Sequence, residues 1–181
     1  EIVETWLVMF MQDEHRKYLR EVVNFGLVVT GDSVYRGDKK DIITPLVEEI
    51  ISKTNHKLVY RVVTPNNAEM IREAILKGLE KNVEALIVSG GTGLRLKDVS
   101  IDVLEEIAFR KIPGFGEIFR LLTYELHGVL AWLTRASAYV VAYGGKYCLV
   151  FVVPGSVDAV ELALKIILPE IQHAIGELVR D

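Results

Sequence analysis

The chain has 181 residues and a formal charge of −4 at neutral pH, enough length for one domain with its own core. A pI near 5.6 excludes the broad basic footprint of a nucleic-acid-binding protein, and a single cysteine, Cys148, excludes an internal disulfide and a cysteine-rich zinc site. Half the residues are hydrophobic and mean hydropathy is +0.28, which predicts a large core or one shared across subunits, so an oligomer is expected.

In chain order, residues 6–11 form an early apolar stretch with no basic residues before it. It is too short to span a bilayer and does not read as a signal peptide, so no membrane association is expected. Residues 22–30 read as a buried strand and residues 45–53 as a helix, with Thr44 at the N-cap and Pro45 at the first helical position. A second strand is predicted over 57–63, then a helix over 67–81 whose Ile71, Ala74, Ile75 and Leu79 form one apolar stripe, then a third strand over 84–89. Strands separated by single amphipathic helices imply right-handed crossovers and a parallel sheet covered on both faces.

Helices are expected over 101–110, with Ser100 as the cap, and over 115–127. The apolar runs 138–143 and 147–153 flank Gly144-Gly145, a strong hairpin signal that makes one sheet edge antiparallel. Cys148 lies inside the second run and reads as core filler; with no targeting segment, a reducing cytoplasm is the expected location. The chain closes with helical pattern from Val157, broken at Pro169. The fold class is α/β: a three-layer α-β-α arrangement with a mostly parallel sheet and an antiparallel hairpin edge.

Ligands of open α/β sheets bind beyond the carboxyl ends of the strands. Three turns there are rich in small residues: Thr30-Gly31-Asp32-Ser33, Ser89-Gly90-Gly91-Thr92-Gly93 and Pro154-Gly155-Ser156. The second can curl its amides around a phosphate, or be a plain turn needing positive φ. Its spacing fits neither a dinucleotide fingerprint nor a P-loop. Asp98 follows closely; beside a phosphate cradle a carboxylate calls for a cation between them, which suggests Mg²⁺, whereas alone it stabilises the loop or the next helix terminus. Asp32 and Ser33 suit a ribose, a metal or a local turn, and Ser156 an anion or a simple strand-to-helix connection.

Taken together these pieces resemble the MoaB/MogA family of molybdopterin-binding and molybdopterin-adenylylating proteins. The resemblance is carried by Gly31-Asp32-Ser33, Gly90 to Gly93 with Asp98-Val99-Ser100, Pro113-Gly114-Phe115-Gly116-Glu117 with Arg120, Thr134-Arg135-Ala136, and Pro154-Gly155-Ser156, in that order. It runs from His15 to the C-terminus, leaving 1–14 as an N-terminal extension and 15–181 as a single molybdopterin-binding domain with a MogA-like fold.

The resemblance implies adenylyl transfer in molybdenum or tungsten cofactor biosynthesis: the terminal phosphate of molybdopterin attacks the α-phosphate of ATP and releases pyrophosphate. It also implies homotrimers or homohexamers. Carried onto this sequence, Asp98 would hold or orient Mg²⁺, with Asp32 and Glu117 as further polar groups at the nucleotide or metal. Gly90, Gly91, Thr92 and Gly93 would cradle phosphates, with Ser33 and the Pro154-Gly155-Ser156 turn beside them, and Arg135 and Ser156 would hold the pterin phosphate. Such an enzyme needs positioning and charge neutralisation more than a nucleophile, and His15, His56, His127 and His173 look incidental.

The chain departs from the family pattern at Asp41-Ile42-Ile43-Thr44, where relatives carry Asp-x-Ser-Gly, at Pro65-Asn66, where active enzymes carry Pro-Asp, and at Asp98-Val99-Ser100-Ile101-Asp102, where they carry Asp-Val-Thr-Pro-Glu. These changes keep a noncatalytic molybdopterin-binding carrier or assembly module as the alternative.

Overall fold

The computed structural model describes residues 19–179; the expected extension over 1–14 lies outside the described residues. Strands β1 (Asn24–Thr30), β2 (Lys57–Thr64), β3 (Ala85–Ser89), β4 (Arg110–Ile112), β5 (Ser137–Tyr143) and β6 (Lys146–Val153) form one six-stranded sheet in the order β2-β1-β3-β6-β5-β4. The pairs β1·β2, β1·β3 and β3·β6 are parallel, while β5·β6 and β4·β5 are antiparallel. Helices α1 (Asp32–Tyr35), α2 (Ile43–Ser52), α3 (Ala68–Glu80), α4 (Ser100–Ile107), α5 (Pro113–His127), α6 (Val157–Ile167) and α7 (Ile171–Leu178) connect them, with a 3₁₀ turn at Gly128–Leu133.

The central strands are apolar at nearly every position because both faces are covered. Phe25, Leu27, Ile87 and Phe151 point toward α2, α5, α6 and α7, and the intervening Val28, Leu86, Val88 and Val150 toward α3 and α4. The α3 stripe Ile71, Ala74, Ile75 and Leu79 is buried, as its spacing predicts. Cys148 is a free, fully buried core residue whose thiol pKa is raised by burial. The hairpin pairs Tyr143 with Lys146 across Gly144 and Gly145, both at positive φ, the conformation that a two-residue turn between right-twisted strands requires. Pro169 falls between α6 and α7, as expected. Among the described residues no helix is long and apolar enough to cross a membrane.

Three local expectations are corrected. Helix α2 starts at Ile43 rather than Pro45, because Asp41 Oδ1 accepts the amides of Ile43 and Thr44 at 2.9 and 3.0 Å and takes the capping work from Thr44. Ser100 is the first residue of α4 rather than its cap, and its hydroxyl is buried without a hydrogen-bond partner among the described residues. Helix α4 ends at Ile107, and Arg110-Lys111-Ile112 crosses over to pair with β5. That strand is short and charged, which blunts a sheet edge against further pairing; Lys111 pairs with Glu105 and lies 5.7 Å from the Tyr139 ring centroid.

Leu86 and Ile87 sit on opposite faces of the central strand and are fully buried. Leu86→Ala and Ile87→Ala are each expected to cost about 2–5 kcal/mol, measured by urea unfolding; a loss below about 1 kcal/mol at either would show that its face is not a packed core.

Candidate active site

Strands β1, β3 and β6 end at one rim, and the chain leaves β1 to β2 on one side and returns to β3 on the other. The crevice at such a reversal is open to ligands. Here it is a cleft of about 1090 Å³. It is lined by all three small-residue turns together with Asn66 and the segment from Leu94 to Asp98.

At the β1 exit, the Gly31 amide donates to Thr64 O at 2.9 Å and sets Asp32 at the start of α1. Asp32 Oδ1 accepts the Asn66 amide at 2.9 Å and Oδ2 faces Lys97 Nζ at 3.1 Å. These partners, the Asn66 amide first, hold the Asp32 carboxyl below its ordinary range. The Thr30 hydroxyl donates to Asn66 Oδ1 at 2.8 Å.

At the β3 exit, the Gly90 amide donates to Val153 O at 2.8 Å, tying the turn to β6. Gly91 has φ +70°, and a Cβ there would stand 2.2 Å from Ser100 Oγ; any side chain meets both a strained backbone and the first turn of α4. Beyond Gly90, the amides of Gly91, Thr92, Gly93 and Leu94 donate to no acceptor among the described residues. Gly91, Thr92 and Gly93 are buried or half-buried and Leu94 is exposed; amides of the first kind are rarely left so, and a run of them is a concavity for an anion.

Asp98 is buried, and its Oδ2 accepts the Arg95 amide at 3.1 Å and faces Arg95 Nε at 3.3 Å. It therefore closes the turn that follows the cradle while forming part of the cleft wall. At the β6 exit, Ser156 Oγ accepts the Ala159 amide at 3.3 Å and caps α6. A Cβ on Gly155 would lie 3.5 Å from Gly90 Cα, so a side chain there would pack directly on the second turn.

Ten of the sequence-predicted residues line this cleft: Asp32, Ser33, Gly90, Gly91, Thr92, Gly93, Asp98, Pro154, Gly155 and Ser156. Two do not. Glu117 is exposed on α5 and lines neither this cleft nor the cavity beside it. Arg135 stands behind the glycine turn, donating to Gly93 O and pairing with Asp102, whose carboxyl it holds below its ordinary range. Arg120 donates to Ala136 O at 2.8 Å. Gly116 leaves room for that bond, since a Cβ there would stand 2.5 Å from Ala136 O.

Sequence reasoning missed the cations of the cleft, Arg36, Lys39, Arg95 and Lys97. Arg36 pairs with Asp38, Lys97 with Asp32 and Arg95 with Asp98, whereas Lys39 has no acidic partner among the described residues. Charged loop residues usually read as solvated surface, and only the fold brings these four around one opening.

Asp32 and Asp98 are the carboxylates of the cleft, and among the described residues no three His, Cys, Asp or Glu converge on one point. That donor set suits a magnesium ion arriving on phosphates, with one or two carboxylates completing its shell, better than a resident metal. Next to the cleft, and sharing Thr92, Gly93, Pro154 and Ser156 with it, is a mainly apolar cavity of about 390 Å³ between α5, the 3₁₀ turn and α6.

Residues 26–173 match the profile of a family described as probable molybdopterin binding domain. A molybdopterin adenylyltransferase of Pyrococcus furiosus is 31% identical over 163 residues, covering 90% of this chain and 95% of that one. Molybdenum cofactor biosynthesis protein B of Bacillus cereus is 35% identical over 170 residues, covering 92% and 97%. The crystal structure of the tungsten cofactor synthesizing protein MoaB from Pyrococcus furiosus superposes with a TM-score of 0.81 at 29% identity, over 87% of this chain and 97% of that chain.

Gly91→Ala is expected to destabilise the protein by about 1–3 kcal/mol. Adding Ser100→Ala should recover only part of that loss, because the hydroxyl clash is relieved and the positive φ is not. Urea midpoints of the single and double variants measure this; no loss in the single variant would mean that the turn does not hold this shape.

Proposed function

The chain belongs to the family described as probable molybdopterin binding domain, and from that premise we propose that it adenylylates molybdopterin with Mg-ATP in molybdenum or tungsten cofactor biosynthesis. The observation that carries the reading is the run of unpartnered amides from Gly91 to Leu94, facing a cleft rimmed by Arg36, Lys39, Arg95 and Lys97. Such a site suits two phosphate-bearing substrates that must meet in line. An oxygen of the molybdopterin phosphate attacks the α-phosphorus of ATP, the bond to the bridging oxygen breaks, and pyrophosphate leaves with its charge met by the cations of the cleft; magnesium, when bound with ATP, would add to that neutralisation. The relatives named molybdopterin adenylyltransferase support the same reaction.

In this reading Gly90, Gly91, Thr92 and Gly93 cradle phosphate. Asp98 and Asp32 would hold the magnesium ion that ATP brings, each giving up a cation partner to do so. Ser33, Pro154, Gly155 and Ser156 shape the remaining walls, with the free amides of the Ser156-capped α6 start turned toward anionic groups. The apolar cavity beside Thr92 and Ser156 offers the kind of wall on which a fused heterocycle packs.

A noncatalytic carrier is the second reading, favoured by one observation: both cleft carboxylates are already matched with cations, Asp32 with Lys97 and Asp98 with Arg95. Incubation with Mg-ATP and molybdopterin separates the two. Adenylylated pterin and pyrophosphate, detected by mass spectrometry, are expected; bound pterin without product would leave the carrier. Asp98→Asn should slow transfer by about 10²-fold or more while keeping the fold, and an unchanged rate would remove Asp98 from the chemistry.

We also propose a homotrimer or homohexamer. Ile118, Leu121, Tyr124, Val129, Leu130 and Trp132 form an exposed apolar face on α5 and the 3₁₀ turn, with Val129 and Trp132 each 72% exposed. Faces of this kind on soluble proteins mark contact surfaces. Light scattering should give a multiple of the 20.3 kDa chain mass that falls to the monomer value in Val129→Glu/Trp132→Glu; a monomeric parent protein would end this reading.

A further inference from the structure

The Arg135 guanidinium gathers acceptors that are distant in sequence. Nε donates to Gly93 O at 3.1 Å, Nη2 donates to Asp98 O, and Nη1 and Nη2 both reach the Asp102 carboxylate of α4, with Nη1 at 2.9 and 3.1 Å. The Arg135 amide adds a bond to Thr92 O at 3.0 Å. Its charge is thus matched by Asp102, and its donors are turned to the protein rather than to the cleft, which Arg135 does not line.

In a trans peptide the carbonyl and the following N–H point in opposite directions. Fixing Thr92 O and Gly93 O on Arg135 therefore aims the Gly93 and Leu94 amides the other way. Those are two of the amides with no acceptor among the described residues. The same guanidinium holds Asp98 O, so both ends of the segment from Gly93 to Asp98 are fastened to one planar group.

We infer that Arg135 is a positioning residue: its guanidinium, anchored by Asp102, aims the phosphate-binding amide of Leu94, and its main-chain amide aims that of Gly93, without touching substrate. The inference rests on the reading of the cleft as a phosphate-transfer site. It gives Arg135 a different task from direct contact with a phosphate, and the two tasks respond differently to substitution. A lysine keeps the charge that a phosphate needs but cannot span three acceptors in fixed directions. Asp102→Asn frees the guanidinium: a phosphate-binding arginine would lose nothing by it, whereas a positioning arginine loses its anchor.

The experiment compares the 181-residue chain with its Arg135→Lys and Asp102→Asn variants, using Mg-ATP as the probe. Both variants are expected to weaken Mg-ATP binding in calorimetry by about tenfold or more, with the salt dependence of binding unchanged because no charge that contacts phosphate has been removed. In ligand-free nuclear magnetic resonance spectra the amide signals of Leu94 and Val99, whose peptide carbonyls the guanidinium holds, should move in both. The inference is overturned if Asp102→Asn binds Mg-ATP as tightly as the parent, if Arg135→Lys keeps its affinity, or if those amide signals stay in place. Should the parent itself bind no Mg-ATP, the proposed function fails, and the amide signals alone still decide the positioning role. If Arg135→Lys does not fold, Asp102→Asn, on an exposed face of α4, carries the comparison.

Discussion

Backbone amides without acceptors are the constraint on which this molecule's chemistry depends. A chain can leave such groups unpaired only where water or a ligand takes the place of a partner. Here Gly91 to Leu94 lie at the carboxyl rim of β3, a strand paired in parallel on both sides with β1 and β6. The sheet orders β1, β3 and β6 side by side, the reversal between β1 and β3 opens the crevice, and three turns with small residues let their backbones reach it. The cations and carboxylates around the opening have meaning only against that frame.

Charge in the cleft is arranged in matched pairs rather than as a bare patch. Lys97 reaches from the β3 turn to Asp32 at the β1 turn, and Arg95 covers Asp98 from the preceding loop. Lys97 and Arg95 are both exposed on the cation side of these pairs, so a multivalent anion carrying its own divalent cation can exchange partners with them. Lys39 needs no such exchange. A cleft built this way keeps its acids from repelling an anionic ligand and still has them at hand for a metal.

Much of the fold was legible because the central strands are apolar on both faces and the helices are apolar on one. The hairpin was legible because Gly144-Gly145 admits few other conformations, and the three small-residue turns because their glycines answer to backbone geometry. Strand β4 was not legible, since Arg110 and Lys111 hide a three-residue strand that exists only by pairing with β5. The start of α2 is hidden because Thr44-Pro45 imitates a cap that Asp41 supplies from outside the helix. Ser100 looked like a cap, yet packs against Gly91 from within α4. Arg135 could be recognised as important, but its partners lie 33 to 42 positions away and belong to another element, so no local pattern discloses what it holds.

The hydrogen bond from the Gly90 amide to Val153 O, which ties the second turn to the end of β6 where the third begins, has a consequence for rates. Turns tied at their roots before any ligand arrives have already lost part of their freedom, so association need not wait for a loop to fold over its guest, and little ordering entropy is charged to the encounter. Discrimination among guests should then appear chiefly as differences in how long each one stays.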